Sequence, residues 1–119
     1  MKAGIVGCGL IGQKRAKSLV GASVAACADT DLARAEQLAR GFPGCVPLVD
    51  WRSVVARDDI DVVVVATPHD ALAEISRGVI ECGKHVLVEK PAARHVDELR
   101  PLVAMAQDKK VSVRVGFNH

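Results

Sequence analysis

Short apolar runs alternate with longer segments of helical periodicity along the whole chain. This pattern predicts strands near residues 3–6, 24–28, 46–49, 60–66, 86–88 and 111–115, and helices near 10–20, 32–40, 50–57, 70–82 and 96–106. Four consecutive valines within the fourth strand are typical of a central parallel strand that is covered on both faces. We therefore expect an α/β fold, with a doubly wound, mainly parallel sheet of about six strands and helices on both faces.

Polar residues and glycines mark the ends of these helices. Asp31 and Asp50 are predicted N-caps, and Gly41 and Gly83 follow predicted helix ends. Apolar spacing predicts three inner faces, made of Leu32, Ala35, Leu38 and Ala39 in the second helix, Leu72, Ile75, Val79 and Cys82 in the fourth, and Val96, Leu99, Val103 and Ala106 in the fifth.

Composition narrows the range of functions. The length of 119 residues suits one domain with its own core, and aromatic residues make up only 3% of it, too few for a surface that stacks single-stranded bases. A net charge of +2 gives little attraction to phosphate backbones, and no apolar stretch approaches the roughly 18 residues of a membrane span. We expect a cytoplasmic protein without nucleic-acid or membrane partners.

The cysteines are scattered along the chain and contain no CxxC pair; they are Cys8, Cys27, Cys45 and Cys82. Such spacing indicates reduced, mostly buried thiols rather than a disulfide framework. We assign no metal site to this sequence.

The strongest candidate site is GCGLIG, a GxGxxG motif between the first predicted strand and the first helix. In this context the motif indicates a Rossmann-type fold that binds a dinucleotide. Gly7 allows the tight turn, Gly9 lets the backbone approach a pyrophosphate, and Gly12 lets the helix pack closely. The helix N-terminus, with Leu10 and Ile11, offers N–H groups to the phosphates. A tight turn that binds no ligand is the alternative.

Asp29 ends the second predicted strand about 20 residues after the first glycine, where a carboxylate accepts both ribose hydroxyl groups of adenosine. A carboxylate there repels a 2′-phosphate, which favours NAD over NADP. Arg34 could still reach back and permit NADP. The alternative is that Asp29 only caps the following helix, although Asp31 is the better cap.

Thr67 and Pro68 end the fourth strand, at the edge of the sheet where open α/β folds bind ligands. We expect both residues to line the cofactor. His69 follows without a visible carboxylate partner, and it is either catalytic or, as is more common for a single imidazole, a solvated loop residue.

The motifs GCGLIG, VVVVATP, GKHVLVEKP and GFNH occur in this order, and together they resemble the glucose-fructose oxidoreductase and inositol dehydrogenase (Gfo/Idh/MocA) family over essentially the whole chain. The resemblance implies the NAD(P)-binding domain of an oxidoreductase that transfers hydride between the cofactor and a secondary alcohol of a sugar, polyol or nucleotide sugar. It also implies that Lys90 lies beside the nicotinamide and assists proton transfer, and that Glu89 and Asn118 belong to the cofactor site. A solvated surface lysine is the alternative for Lys90.

Two features depart from the family pattern. His69 and Leu72 stand where relatives often carry Asn and His, which puts the contacts of those residues in doubt. Family members also continue into a second domain that supplies the substrate pocket, another acid–base residue and the oligomer interface. Since this sequence ends at His119, we expect little turnover by the chain alone, some self-association and a homo-oligomeric parent protein.

Two other functions stay open. A nucleotide-sensing regulator could use the same fold without catalysis, although a lysine at the hydride-transfer position favours an enzyme. A structural domain that binds nothing would leave the glycine motif and Asp29 as coincidence.

Overall fold

Parallel strands form one six-stranded sheet in the computed structural model, which describes residues 1–19, 23–67, 69–88 and 96–115. The strands are β1 (Lys2–Val6), β2 (Ser23–Ala28), β3 (Val46–Leu48), β4 (Val62–Val65), β5 (His85–Val88) and β6 (Val113–Val115). Their spatial order is β3-β2-β1-β4-β5-β6, with every neighbouring pair parallel. The strand order reverses between β1 and β4, so the predicted doubly wound sheet is confirmed.

Helices cover both faces of this sheet. The described helices are α1 (Leu10–Ser18), α2 (Leu32–Ala39), α3 (Trp51–Val55), α4 (His69–Glu81) and α5 (Val96–Lys109). Successive strand residues point to opposite faces, so Val64 packs in one core with Ile5, whereas Val63 and Val65 pack in the other with Val79. The first core lies under α1 and α2, and the second lies under α3, α4 and α5. None of the helices described has the length and apolar character of a transmembrane segment.

Each predicted element is present with small shifts at its ends. Three inner-face assignments are wrong, those of Leu32, Cys82 and Val103. The predicted side chains of Leu72, Val96 and Leu99 lie outside the described residues. Val103 is 45% exposed, whereas Leu102 is buried together with Ala106. Because Leu102 and Val103 are both apolar, spacing alone could not decide which of them faces inward. Leu32 is 43% exposed, since it lies in the first turn of α2 at the open edge of the sheet.

The predicted caps agree with the structure at three of four positions. The Asp31 carboxylate accepts a hydrogen bond from the N–H of Ala33, and Asp50 does the same for Arg52. Gly83 has a φ of +74°, a left-handed conformation that glycine adopts without strain and that ends α4. Gly41 stands at the same distance after the end of α2 at Ala39, but it has no positive φ and so does not form this type of cap.

Lys84 is buried at the start of β5. The residue is 7% exposed, and its ammonium group donates hydrogen bonds to the carbonyl oxygens of Arg57 at 2.7 Å and Ile60 at 2.9 Å. These carbonyls lie between α3 and β4, and the Arg57 oxygen also accepts a long hydrogen bond from the N–H of Ile60 at 3.4 Å. The buried cation therefore ties β5 to the segment that enters β4.

Replacing Lys84 with alanine should lower the free energy of unfolding by about 2 kcal/mol, because two carbonyl oxygens would lose a charged donor. Urea unfolding followed by circular dichroism measures this change. The matched control is Lys17→Ala, since Lys17 is exposed on α1 and should change stability by less than about 0.5 kcal/mol. Equal losses in the two variants would contradict the structural role of Lys84.

The thiols differ in accessibility. Cys8 and Cys27 are buried, Cys45 is half-buried and Cys82 is exposed, all as free thiols. The predicted burial is therefore wrong for Cys82, which lies in the turn after α4. The contact with Cys45 lowers the pKa of Cys27, but the contact with Cys8 and burial outweigh it and raise that pKa to about 12. The hydrogen bond to Cys27, together with burial, raises the pKa of Cys45 above its usual value.

We expect one fast-reacting thiol when the folded chain meets an aromatic disulfide reagent at pH 8, because Cys82 is accessible while Cys27 and Cys45 stay protonated. The remaining thiols should react after unfolding in urea. Absorbance of the released thiolate counts them, and a Cys82→Ser variant should remove the fast phase. Two or more fast thiols in the folded wild-type chain would contradict this assignment.

Candidate functional site

A cavity lies at the carboxyl ends of β1 and β4, where the strand order reverses and where doubly wound folds bind ligands. Its volume is about 480 Å³, a size typical of small-molecule sites. The cavity is lined by residues at the ends of β1, β2 and β4, at the β3–α3 junction, and in α2 and α4. These residues are Val6, Gly7, Gly9, Ala28, Asp29, Thr30, Arg34, Val49, Trp51, Ala66, Thr67, Ala71, Glu74 and Ile75.

The turn between β1 and α1 is as tight as the glycine motif predicts. Gly7 has a φ of +95°, and a Cβ there would lie 2.7 Å from the backbone carbonyl of Ala66. A Cβ on Gly12 would collide with the carbonyl oxygen of Gly7. In contrast, a Cβ on Gly9 would meet no described atom within 4 Å. Gly7 and Gly12 thus permit close packing, and Gly9 leaves the backbone open toward the cavity.

Helix α1 begins at the rim of this cavity. Its N-cap residue Gly9 makes no side-chain hydrogen bond, and its first turn contains no acidic residue. The N–H groups and the positive end of the helix dipole there favour an anion such as a phosphate. Leu10 and Ile11 are 76% and 40% exposed and do not line the cavity, so their contact with a cofactor stays a prediction.

The Asp29 carboxylate joins two backbone segments at the end of β2. One oxygen accepts a hydrogen bond from the N–H of Cys8 at 2.8 Å, and the other accepts one from the N–H of Asp31 at 2.8 Å. The first bond fixes the glycine turn relative to β2, and the second supports the start of α2. Asp29 also lines the cavity, and each carboxylate oxygen has a further lone pair for a hydroxyl donor.

Thr67 follows β4 and lines the cavity on the side opposite Asp29 in the sheet order. Its Oγ1 atom is buried and has no hydrogen-bond partner among the described residues. Buried hydroxyl groups are normally paired. The unpaired hydroxyl, the open Gly9 backbone and the uncapped helix end together fit a ligand with phosphate and hydroxyl groups.

Arg34 lines the cavity beside Asp29 and Thr30. Its Nε atom is 3.7 Å from the Asp31 carboxylate, and its side chain is 61% exposed. Such an exposed ion pair holds the guanidinium only weakly. Arg34 can therefore turn toward a negative group bound near Asp29.

Four residues assigned from the sequence, Pro68, Glu89, Lys90 and Asn118, lie outside the described residues. The side chain of His69, at the start of α4, lies outside them as well. Their roles stay predictions.

The motifs do not mark the opposite wall of the cavity. Trp51 is the single tryptophan of the sequence, and Gly78, inside α4, lies against its ring. The sequence signals for this contact were the single tryptophan and a glycine within a predicted helix. They are far apart along the chain, so only the fold shows that they are in contact. The other residues of this wall are Val49, Ala71, Glu74 and Ile75.

Comparison with protein families agrees with this geometry. Residues 1–117 match the sequence model of the Gfo/Idh/MocA family, an oxidoreductase family with an NAD-binding Rossmann fold. The chain belongs to the Gfo/Idh/MocA family. The family resemblance of the four motifs is confirmed, and with it an NAD(P)-binding oxidoreductase domain.

Curated Gfo/Idh/MocA relatives include polyol and sugar dehydrogenases. Inositol 2-dehydrogenase 4 from Saccharopolyspora erythraea is 37% identical over 122 residues, covering 98% of this chain and 36% of that protein. Levoglucosan dehydrogenase from Pseudarthrobacter phenanthrenivorans is 41% identical over 70 residues, covering 59% of this chain and 18% of that protein. The chain spans about a third of the length of the inositol dehydrogenases it matches.

Solved structures of Gfo/Idh/MocA type share the fold. A 3-ketoreductase from Actinomadura kijaniata, solved with NADP and TDP-benzene, has a TM-score of 0.86 at 27% identity and covers 98% of this chain and 37% of its own. An NAD binding oxidoreductase from Klebsiella pneumoniae has a TM-score of 0.85 at 27% identity, covering 98% and 34%. Both agree with nicotinamide dinucleotides as the ligand class of this fold.

Replacing Asp29 with alanine should lower the free energy of unfolding by about 1–2 kcal/mol, because the N–H groups of Cys8 and Asp31 would lose their acceptor. Chemical unfolding of the ligand-free chain measures the loss. An Asp29→Asn variant, which keeps one acceptor oxygen, should lose less.

The matched control is Asp108→Ala, since Asp108 is exposed on α5 and should change stability by less than about 0.5 kcal/mol. If Asp29→Ala unfolded at the same urea concentration as this control, the two backbone hydrogen bonds would not stabilise the fold.

Proposed function

We propose that this domain binds NAD(H) in the described cavity and serves as the cofactor domain of a dehydrogenase acting on a secondary alcohol of a sugar or polyol. One observation carries the proposal: the open Gly9 backbone at the uncapped start of α1 and the Asp29 carboxylate line the same cavity. The pyrophosphate would lie over Gly7 and Gly9, and the adenosine ribose would hydrogen-bond to Asp29.

The reacting end of the cofactor would lie on the other side of the glycine turn, toward β4 and β5. Thr67 and Pro68 would line the cofactor there, with the unpaired Thr67 hydroxyl available to a polar group. Leu10, Ile11 and Gly12 at the start of α1, together with Glu89 and Asn118, would complete the site. Bound NAD⁺ supplies the hydride acceptor, and Lys90 would assist movement of the proton of the substrate hydroxyl.

The substrate class is proposed from the relatives. Inositol dehydrogenases and a levoglucosan dehydrogenase match this chain, which supports a polyol or sugar alcohol as the substrate. A homo-oligomeric parent protein is part of the same proposal. Sedimentation of this chain as a clean monomer at high concentration would count against self-association through this domain.

Calorimetric titration of the chain with NADH and with NADPH tests the cofactor assignment. We expect NADH to bind about tenfold more tightly, a difference of ~1.4 kcal/mol, because the Asp29 carboxylate repels a 2′-phosphate. Tighter binding of NADPH would show that Arg34 overrides Asp29. Absence of binding by either cofactor would contradict the proposed function.

Lys90 is tested in the longer parent protein with inositols and sugars as substrates. A Lys90→Ala variant should lose at least about a hundredfold in kcat, the scale of general acid–base catalysis, while NADH affinity changes little. Unchanged kcat would remove Lys90 from the mechanism. A parent protein that binds NADH but oxidises none of these substrates would instead favour a nucleotide-sensing regulator.

A further inference from the structure

The wall of the cavity near β3 is apolar apart from Glu74. Passing outward in the sheet from β1, the lining residues change from the glycine turn to Asp29 after β2, and then to Val49 and Trp51 beside β3. Ala71 and Ile75 of α4 line the cavity as well. A flat apolar ligand group would find its contacts among these side chains.

Trp51 is held in place by a glycine of the neighbouring helix. A Cβ on Gly78 would lie 2.6 Å from both Cη2 and Cζ3 of the indole ring, so the ring packs against the bare backbone of α4. Glycine is unfavourable inside a helix, and here the missing side chain leaves the space that the indole ring occupies. Gly78 therefore fixes the position of the indole in the cavity wall.

The guanidinium group of Arg52, the next residue of α3, lies over the indole ring. The guanidinium carbon of Arg52 lies 4.8 Å from the centroid of the Trp51 ring, within the range of a cation–π contact. The same guanidinium approaches Glu74 of α4 at 3.4 Å, and Glu74 lines the cavity. Gly78 therefore fixes the indole on the α4 side. Arg52 and Glu74 are 63% and 69% exposed, so their ion pair adds only a weak constraint.

We propose that Trp51 is the main contact for the adenine ring of the bound dinucleotide and that Gly78 positions it. This inference rests on the proposed function, since it requires the ribose at Asp29 and the pyrophosphate at Gly9. With those two groups placed, the base must extend away from the glycine turn, toward β3 and α4. Adenine packs well against an aromatic side chain, and Trp51 is the single aromatic residue lining the cavity among the residues described.

Fluorescence provides a direct test, because Trp51 is the only tryptophan. ADP-ribose, which contains the adenine half of the cofactor, should quench the emission of Trp51 in proportion to the fraction of sites that it occupies. Oxidised nicotinamide mononucleotide, which lacks adenine and does not absorb in the range of tryptophan emission, should leave the protein emission unchanged. Quenching by the mononucleotide but not by ADP-ribose would overturn the inference.

Calorimetry on variants tests the energetic contribution. Trp51→Ala should weaken binding of both NADH and ADP-ribose by about tenfold, the scale expected for loss of one base–aromatic contact. Trp51→Phe keeps an aromatic ring and should bind within about threefold of the wild-type chain. Melting temperatures measured without ligand separate a loss of affinity from a loss of folding.

Gly78→Ala tests the positioning role without altering any residue that lines the cavity. It should weaken ADP-ribose binding and shift the Trp51 emission, because the added Cβ displaces the indole. The matched control is Gly41→Ala, whose Cβ would meet only the carbonyl oxygen of Leu38, at 3.6 Å, and which should bind ADP-ribose normally.

The outcomes separate the two levels of the proposal. If the wild-type chain binds NADH and the folded Trp51→Ala variant binds it equally well, the adenine assignment is wrong while the proposed function stands. If the wild-type chain binds neither NADH nor ADP-ribose, the proposed function fails, and the adenine assignment fails with it.

Discussion

Helix α1 lies so close to the end of β1 that the chain has no room for a Cβ at Gly12, where one would collide with the carbonyl oxygen of Gly7. A side chain is also unfavourable at Gly7, because this residue has a positive φ and lies against the backbone of Ala66 at the end of β4. These contacts bring the N-terminus of α1 to the carboxyl edge of the sheet. The position of the helix end, and with it the cavity, depends on this steric constraint.

Electrostatics and hydrogen bonding then divide the cavity into regions. The uncapped end of α1 favours an anion, whereas the Asp29 carboxylate, only one strand away, excludes one. The negative charge at Asp29 is partly balanced by the N–H groups of Cys8 and Asp31, which also fix the glycine turn to β2. Beyond Asp29 the wall becomes apolar at Trp51. This order of phosphate, hydroxyl and apolar preferences matches the chemical order along the adenosine half of a dinucleotide.

The sequence was sufficient for the fold and for the glycine turn because both depend on local signals. A run of valines, alternating segments and a GxGxxG motif each report on their own neighbourhood. The inner face of α5 was mispredicted because Leu102 and Val103 are adjacent and both apolar, so only tertiary packing selects between them. The contact between Trp51 and Gly78 joins α3 to α4 across the chain and leaves no local pattern. The sequence suggested that Asp29 could support the start of the following helix, as its hydrogen bond from Asp31 does. Its hydrogen bond from Cys8 could not be predicted, because it depends on the distance between the ends of two strands.

The central claim is that the cavity at the carboxyl edge of β1 and β4 is the dinucleotide site. Mapping of backbone amide chemical shifts by NMR during titration with NAD⁺ tests this claim most directly. The account predicts that the largest shifts occur at Gly7, Gly9 and Gly12, with a second group around Asp29 and Trp51. Largest shifts at the opposite edge of the sheet, around Lys84 and His85, would contradict it.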